Sequence, residues 1–586
     1  MERNLTMEEE LLVNQISKEE LLADNSKIAR EVRLSGSMEE LRAFQFIQKR
    51  LESFGLKAEI EFDDAYISIP IQSKLEVNGE IIDSITHSMS KDLNNEELSA
   101  KCIYLQDLNE DSLKLVDTKI AIYDSIAIPD IVKKMEDSGA VGAIFINGPN
   151  THEMIVSRIW GNPSIRDKDL LPKIPVISIN NKNGEKLLDL LKISSYKAII
   201  STEVSSKWMK IPRLIAEIRG DYETDHFVLL CGHVDSWHYG AMDNGSANAL
   251  MLQVVKILAQ NKTKWKRNVR LAFWSGHSHG RYAGSAAYCD KNWEDLTENG
   301  IMHFYVDSVG GKGANVFVDS NAMAETEDIA IDVIGRLTDQ AFVGKRYSRS
   351  ADQSFWGTGI PSLYMGMAEQ ELSDDPAYKN VQKLFAGTKG GGFGWWWHTV
   401  EDTIDKIDPD VLRNDCEIYL LSLYKVLTDN IIPINSLKAV EEIHKHIVDY
   451  QEKGKDIVDL SLSINRIDEI EKKLTSVLER KVWLESDSEH SRLFNNFLLK
   501  ISKLLVPINY VGGSKFEHDL ASTTVPIPSL ALINHYTNGL KDEDYYLLQT
   551  AIRRQVNFLN YELKKVIREI DAFMKILFEN FLNKRN

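Results

Sequence analysis

Between residues 211 and 430, short apolar segments of strand type alternate with segments of helix type. The strand-like segments include 226–236 (HFVLLCGHVDS), 269–276 (VRLAFWSG) and 302–311 (MHFYVDSVGG). A helical spacing of apolar residues lies between the first two, in 245–260 (GSANALMLQVVKILAQ). This alternation predicts an α/β fold with a mostly parallel central sheet that helices flank on both faces. Ligands of such sheets bind beyond the carboxyl ends of the strands.

The rest of the chain is divided by changes in this pattern. A chain of 586 residues is too long for one core, so several domains are expected. We predict an N-terminal helical segment over 1–60, a smaller α/β domain over 61–210, the main domain over 211–430 and a helical domain over 431–586. The long amphipathic helices of the last domain carry apolar faces that need partners. A homodimer is therefore expected.

Composition and charge exclude several classes of function. A formal net charge of −18 disfavours nucleic acid and anionic membranes as partners. The four cysteines are widely spaced and form no CxxC pair, which excludes a disulfide framework and a cysteine-rich zinc module. The first residues are acidic and amphipathic, unlike a signal peptide, and no apolar run reaches the length of about 20 residues that a membrane span needs. We therefore expect a cytoplasmic protein.

Histidine and aspartate residues recur where predicted strands end. His233 and Asp235 close one strand, Asp243 lies in the following loop, and Asp307 closes another strand. His398 stands just before a later helix. Two imidazoles and two or more carboxylates suit a divalent ion such as zinc, and one aspartate can bridge two ions. Each residue alone could also be a helix cap or a buried polar group, but their joint occurrence favours a metal centre.

The order of five segments gives the chain a family resemblance. These segments are HVDSWHYGAMDNGSA (233–247), FWSGHSHGRYAGS (273–285), YVDSVGG (305–311), SADQSFWGTGIPS (350–362) and WWWHTVEDTIDKID (395–408). Their succession resembles the co-catalytic zinc exopeptidases, which include bacterial aminopeptidases, glutamate carboxypeptidase and the catalytically inert transferrin receptor. The resemblance implies a protease-associated domain inserted at 61–210 and a C-terminal helical domain, along nearly the whole chain.

The resemblance also implies roles for single residues. His233 and Asp307 would bind one metal ion, Asp243 would bridge, and His398 would bind a second ion. Asp235 would orient a ligand imidazole and so support catalysis. The implied cofactor is one or two divalent ions, most simply zinc.

One segment departs from the family pattern. After the strand that ends at Trp274, the family has two adjacent glutamates, of which the first is the general base and the second a metal ligand. An alignment on Trp274 and Gly280 puts His277 in the place of the base and Ser278 in the place of the ligand. A hydroxyl replaces a carboxylate poorly, so His279, or His277 itself, could supply the missing ligand. We expect His277 to be catalytic and His279 to bind metal.

Three functions remain open at this point. The leading one is a metal-dependent hydrolase of peptide or other amide bonds with an atypical active site. The second is different single-metal chemistry on an amino-acid or peptide-like small molecule, and the third is a non-catalytic binding protein. Four ligand positions persist and two new imidazoles are present, which favours the hydrolase.

Several residues are candidates for binding the substrate. Arg281 and Tyr282 directly follow the altered segment, and Asp352 lies where the family places residues near the substrate. Lys515 lies in a loop of the helical domain. Further candidate cations or imidazoles in loops are Arg158, Arg166 and His518. Cations near the site would suit the carboxylate end of a peptide or of an amino-acid-derived small molecule.

Overall fold

The computed structural model describes residues 4–193, 196–221, 224–348, 351–480, 488–537, 540 and 542–583. Within these residues the strands form one sheet in the order β12-β11-β9-β10-β8-β4-β5-β6-β7-β3, and β1 and β2 lie off this path. The strands are β1 (Ala58–Val77), β2 (Glu80–Ile82), β3 (Ile85–Thr86), β4 (Leu98–Leu105), β5 (Ile120–Asp124), β6 (Gly142–Ile146), β7 (Val176–Ile179), β8 (Lys197–Ile218), β9 (Phe227–His233), β10 (Asn268–Trp274), β11 (Gly300–Tyr305) and β12 (Ser362–Leu363).

Two parallel groups of strands make up the sheet. β10, β9, β11 and β12 are parallel to one another, and so are β4, β5, β6 and β7. The antiparallel strand β8 joins the groups, because it pairs with β10 at one end and with β4 at the other. The predicted α/β fold with a large central sheet is confirmed. The sheet was expected to be mostly parallel, but the long strands β1 and β8 pair antiparallel, so the sheet is mixed.

The longest strands cross predicted domain boundaries. β1 has 20 residues and β8 has 22, and the two pair antiparallel along almost their whole lengths. The boundaries predicted at 60/61 and 210/211 fall inside these strands. The two α/β parts therefore share a continuous ribbon of backbone hydrogen bonds.

Helices cover the sheet and form the C-terminal part. They are α1 (Met7–Val13), α2 (Lys18–Ile28), α3 (Met38–Ser53), α4 (Glu110–Leu113), α5 (Pro129–Asp137), α6 (Asn181–Ile193), α7 (Ala247–Gln260), α8 (Ala283–Lys291), α9 (Trp293–Asn299), α10 (Glu327–Leu337), α11 (Lys379–Phe385), α12 (Pro409–Thr428), α13 (Ser436–Gly454), α14 (Ser461–Leu478), α15 (Ser488–Tyr510) and α16 (Asp542–Asn583). The start of α12 follows ordinary capping chemistry. The side chain of Asp408 accepts hydrogen bonds from the first turn of α12, where Pro409 fits because its missing N–H needs no partner.

Apolar residues collect in three main cores. The largest packs β9, β10 and β11 against α7 and α12, and includes Leu229, Leu271 and Leu250. Every residue of β9 is buried, as expected for a central parallel strand covered on both faces. A second core lies among α13 to α16, and a third lies between β4 to β7 and α6. Among the described helices, none combines the length and apolar character needed to cross a bilayer.

Candidate metal centre

His233 and Asp307 meet at the carboxyl end of the first parallel group. His233 is the last residue of β9, and Asp307 follows the neighbouring β11 by two residues. The Nε2 atom of His233 lies 3.6 Å from Oδ2 of Asp307, and both side chains are buried. In the register of the sheet His233 pairs with Trp274, the last residue of β10. The loop that follows β10 therefore starts beside His233.

Asp243 reaches two histidines with its two carboxylate oxygens. Its Oδ1 lies 3.0 Å from Nε2 of His233, and its Oδ2 lies 2.9 Å from Nε2 of His398. The Nδ1 atoms of the two imidazoles lie 2.9 Å and 2.7 Å from the backbone oxygens of Asp235 and Glu153, respectively. A carbonyl oxygen only accepts, so each Nδ1 carries the proton in the neutral ring and each Nε2 presents a lone pair to Asp243.

These facing lone pairs fit a shared cation. Nε2 of His233 and Oδ1 of Asp243 are buried and make no hydrogen bond, although they are only 3.0 Å apart. Two buried lone pairs at that distance repel unless a positive charge lies between them. Despite burial, the carboxylates of Asp307, Asp235 and Asp243 raise the pKa of His233 well above its ordinary value, so the site favours a positive charge, which either a proton or a metal ion supplies. Imidazole nitrogen and carboxylate oxygen are the donors that zinc and similar ions take. The residues present therefore fit a divalent metal ion.

His277 belongs to the same group. Its ring stacks on that of His233 with 3.8 Å between centroids and an interplanar angle of 15°. Potential ligand atoms of His233, His277 and Asp307 all lie within 4.8 Å of one another. Burial, together with the neighbouring His233, holds the pKa of His277 well below its ordinary value. A neutral imidazole is the form that binds a metal ion.

His279 lies elsewhere, although it is only two residues away. Its Nδ1 is 3.3 Å from the backbone nitrogen of Ser35 and 2.9 Å from that residue's hydroxyl oxygen. Its ring packs against Trp237, with 4.5 Å between centroids, and burial lowers its pKa to about 4. The structure therefore brings His277 to the candidate centre and does not bring His279 there, which differs from the expectation that His279 binds metal.

Asp235 holds the altered loop in place. Its Oδ2 accepts hydrogen bonds from the backbone nitrogen of Ser278 at 2.7 Å and from the hydroxyl of Ser35 at 2.7 Å. Its Oδ1 accepts a longer bond, 3.3 Å, from the backbone nitrogen of His277. The carboxylate is fully buried. Asp235 thus fixes the backbone that presents His277, rather than facing the cavity itself.

A segment of the smaller α/β part holds His398. The backbone oxygen of Glu153 accepts the bond from Nδ1 of His398, and the backbone nitrogen of Glu153 donates to the backbone oxygen of His398 at 2.9 Å. Nδ1 of His152 lies 2.7 Å from the backbone oxygen of Trp397, whose ring stacks on His398 at 3.5 Å. Burial raises the pKa of Glu153 to about 8 and lowers that of His152 to about 4. Three backbone-directed hydrogen bonds thus set the orientation of His398.

Asp402 positions the loop that carries Asp243. Its two carboxylate oxygens accept hydrogen bonds from the backbone nitrogens of Met242 at 2.8 Å and Asp243 at 2.9 Å. Burial raises the pKa of Asp402 to about 7. The sequence analysis did not single out Asp402, Ser35 or Glu153. The position of Asp402, four residues after His398, was the only signal available, because the other two lie far away along the chain.

A cavity of about 480 Å³ opens beside these residues. Asp243, His277, Asp307 and His398 line it, together with Ser278. The predicted substrate residues that line it are Arg281 and Tyr282. Further cationic side chains at its wall are Lys345, Arg346 and Lys383. The cavity thus joins the candidate centre to a wall of basic groups.

The residues at the cavity wall have defined partners. Nη2 of Arg281 donates to the backbone oxygen of Ile155 at 2.7 Å. The ring of Tyr282 meets that of His277 edge-on, with 4.4 Å between centroids. Lys345 forms a buried ion pair with Glu369.

Other predicted substrate residues lie away from this cavity. Asp352 is fully buried and is not among the residues that line it. The ammonium of Lys515 lies 5.1 Å from the ring centroids of Trp293 and Phe516, on a different part of the surface. Arg158, Arg166 and His518 pair with Asp130, Glu517 and Asp290, respectively. The structure does not bring these residues to the candidate centre.

Comparison with known sequences gives relatives among peptidases. Residues 213–421 match the sequence profile of peptidase family M28. The probable glutamate carboxypeptidase VP8 of Zea mays is 23% identical over 390 residues, which cover 63% of this chain and 53% of that protein. Carboxypeptidase Q of Xenopus laevis is 28% identical over 254 residues, which cover 42% of this chain and 48% of that protein. The chain thus spans about half the length of these curated relatives.

Solved structures share the fold. An aminopeptidase from Aneurinibacillus sp. strain AM-1 matches with a TM-score of 0.53 and 19% identity, covering 72% of this chain and 96% of that one. BSAP, a zinc aminopeptidase from Bacillus subtilis, matches with a TM-score of 0.53 and 18% identity, covering 70% of this chain and 96% of that one. At these identities the likeness establishes the fold.

Proposed function

We propose that this chain, whose residues 213–421 match the sequence profile of peptidase family M28, is a metal-dependent hydrolase of peptide or other amide bonds. The observation that carries the proposal is the position of Asp243 between two imidazoles. Its carboxylate oxygens lie 3.0 Å and 2.9 Å from the Nε2 atoms of His233 and His398, at the wall of a cavity. A site with this donor set and an open side is what a hydrolytic metal ion requires.

The first metal position has the fuller set of ligands. We assign it to His233, His277 and Asp307, with Oδ1 of Asp243 at its edge, because their ligand atoms already converge. In this assignment His277, which stands in the place of the family's general base, is a ligand of the first ion. The ion would polarise a carbonyl oxygen and lower the pKa of a water molecule that attacks it. Zinc is the simplest occupant, since imidazole and carboxylate donors suit it.

The second metal position is incomplete. Asp243 and His398 face it, but Ser278 stands where a carboxylate ligand is expected from the family pattern. A hydroxyl is a weak ligand for a divalent ion, so we propose that this position binds its ion much less tightly than the first. One tightly held ion at this centre follows from this difference. The backbone bond from His398 Nδ1 to Glu153 keeps Nε2 directed at Asp243 in either state.

The substrate we propose is a peptide or amino-acid conjugate that carries a carboxylate. Four basic side chains line the cavity, namely Arg281, Lys345, Arg346 and Lys383. Lys345 and Arg346 form ion pairs with Glu369 and Glu442. We assign the guanidinium of Arg281 to the substrate carboxylate because it directly precedes Tyr282, whose ring meets that of His277.

The remaining parts of the chain support related proposals. We assign residues 61–210 to a protease-associated type of domain, because this part holds His398 through Glu153 and borders the cavity with Ile155. We assign residues 431–586 to a helical domain that mediates a homodimer. We propose a cytoplasmic location, where the four free cysteines stay reduced. Size measurement of the purified full chain in solution tests the dimer.

Metal content and hydrolysis together test the function. The full-length protein, loaded with zinc, is assayed against a panel of peptides and amino-acid conjugates that have either a free or an amidated C-terminus. We expect turnover of substrates with free carboxylates, loss of turnover with a chelator, and recovery with zinc. Asp243→Asn should lower kcat/KM by several orders of magnitude, while Ser278→Glu should add one tightly bound ion to this centre. Equal turnover by the wild type and Asp243→Asn would refute the proposal.

A further inference from the structure

A second group of metal-binding residue types lies in the core. Cys231 is on β9, His303 is on β11, and Asp352 precedes a short helical turn at 353–355. Potential ligand atoms of these three residues all lie within 4.8 Å of one another. All three side chains are fully buried, and none of them lines the cavity. The group is therefore separate from the candidate centre.

The position of this group in the sheet is close to that centre. Successive side chains of a strand point to opposite faces, so Cys231 and His233 project from the same face of β9. Cys231 also pairs with Tyr305 in the parallel register of β9 and β11, the two strands that lead to His233 and Asp307. The group thus lies one layer beneath the candidate centre, between β9 and β11, the strands that lead to His233 and Asp307.

One buried polar atom of this group is not satisfied by a well-formed hydrogen bond. Oδ1 of Asp352 accepts a bond from the backbone nitrogen of Ser354 at 3.0 Å. The hydroxyl groups of Ser285 and Ser354 also interact with this carboxyl, but its buried Oδ2 makes no hydrogen bond of good geometry in the part of the chain that the structure describes. A carboxylate oxygen buried without a partner is costly. Sγ of Cys231 lies 3.1 Å from Nε2 of His303.

The outer side of His303 is already fixed. Its Nδ1 lies 3.1 Å from the hydroxyl oxygen of Ser362, which also accepts a bond from Nε1 of Trp356 at 3.2 Å. Metal-binding histidines usually have their second ring nitrogen held in this way by a neighbouring polar group. The ring nitrogen that remains, Nε2, faces Cys231 and the group.

We propose that Cys231, His303 and Asp352 form a second, buried metal site for a thiophilic divalent ion such as zinc. A thiolate, a carboxylate and a neutral imidazole around a divalent cation have no net charge, so the filled site suits the protein core. The ion would give Oδ2 of Asp352 its missing partner. It would also tie β9 to β11 beneath His233 and Asp307, and add to stability by binding only the folded chain.

Sulfur makes this site distinguishable from the candidate centre, whose assigned ligands contain none. Full-length protein produced with zinc is dialysed against a chelator, which should strip the open cavity before the buried site. X-ray absorption at the zinc edge should then reveal a sulfur neighbour at about 2.3 Å. Only nitrogen and oxygen neighbours, or no zinc at all, would overturn the proposal. This measurement needs no variant and does not depend on any hydrolytic activity.

Cobalt substitution adds a test by mutation. Protein produced with cobalt should show thiolate-to-cobalt charge-transfer absorption in the near ultraviolet. Cys231→Ser should abolish this absorption, whereas Cys416→Ser, which changes an equally buried cysteine on α12, should keep it. Asp243→Asn should also keep it, because Asp243 belongs to the cavity centre. Absorption that survives Cys231→Ser would contradict the assignment.

Discussion

Replacing Asp235 with alanine should weaken metal binding as well as the fold. The carboxylate accepts hydrogen bonds from the backbone nitrogens of His277 and Ser278 and from the hydroxyl of Ser35. Asp235→Ala leaves these three donors without their acceptor in a fully buried place. At about 1 kcal/mol or more for each buried donor left unpaired, the free energy of unfolding should fall by at least about 3 kcal/mol. The loop that carries His277 should also lose its fixed position.

The effect on metal binding separates this role from general stability. Loss of a group that orients a metal ligand typically lowers metal affinity about 10- to 100-fold. Asp319 offers a matched control, because its carboxylate also accepts three bonds, from the hydroxyl of Thr388 and the backbone nitrogens of Lys389 and Gly390. It is not among the ligand groups of the centre. Asp319→Ala should reduce stability and leave the affinity unchanged.

Two assays decide the matter. Urea unfolding of both variants measures the change in stability, and competition with a chromophoric chelator measures the zinc dissociation constant of the folded protein. The reasoning predicts lower stability for both variants and weaker zinc binding for Asp235→Ala alone. If Asp235→Ala and Asp319→Ala bind zinc with equal affinity, the role assigned to Asp235 is wrong.

Three further predictions concern single side chains. His277→Ala should lower zinc affinity at least tenfold, whereas His279→Ala should destabilise the fold and keep the metal. Elemental analysis of the folded proteins measures the metal content, and equal metal loss in both variants would contradict the assignment. His152→Ala should lower kcat/KM more than zinc content, because it loosens the segment around His398 and leaves the first position intact. Burial lowers the pKa of Lys503 to about 7, whereas the side chain in the unfolded state has a pKa of about 10.4. Between these two pH values the unfolded state binds more protons than the folded state, so the free energy of unfolding should rise with pH. Lys503→Met should remove that rise in urea-unfolding curves, and an unchanged pH dependence would refute it.

The convergence of His233, Asp243 and Asp307 could be expected from the sequence, because strand ends of a parallel group meet at one edge of the sheet. The choice between His277 and His279 could not. The alternation of side chains holds in a strand, but these residues lie in a loop whose path depends on hydrogen bonds to Asp235. That carboxylate is distant in sequence from the loop, so no local pattern signals the contact.

The continuity of the long strands β1 and β8 also could not be predicted from the sequence patterns. Exposed residues interrupt the buried positions within each strand, for example Trp208 in β8. In the sequence this pattern resembles a break between two domains and not one long strand. The link between Glu153 and His398 joins residues of two parts that sequence analysis treats separately. Long-range backbone pairing of this kind leaves no signature in composition or periodicity.

Anomalous diffraction from crystals of the zinc-loaded full chain tests the central claim most directly. The account predicts a zinc peak at the cavity wall, about 2.0 to 2.2 Å from Nε2 of His233, a ring nitrogen of His277 and a carboxylate oxygen of Asp307. It also predicts a much weaker peak between Asp243 and His398. A fully loaded crystal with no anomalous peak within coordination distance of His233 and Asp243 would contradict the account.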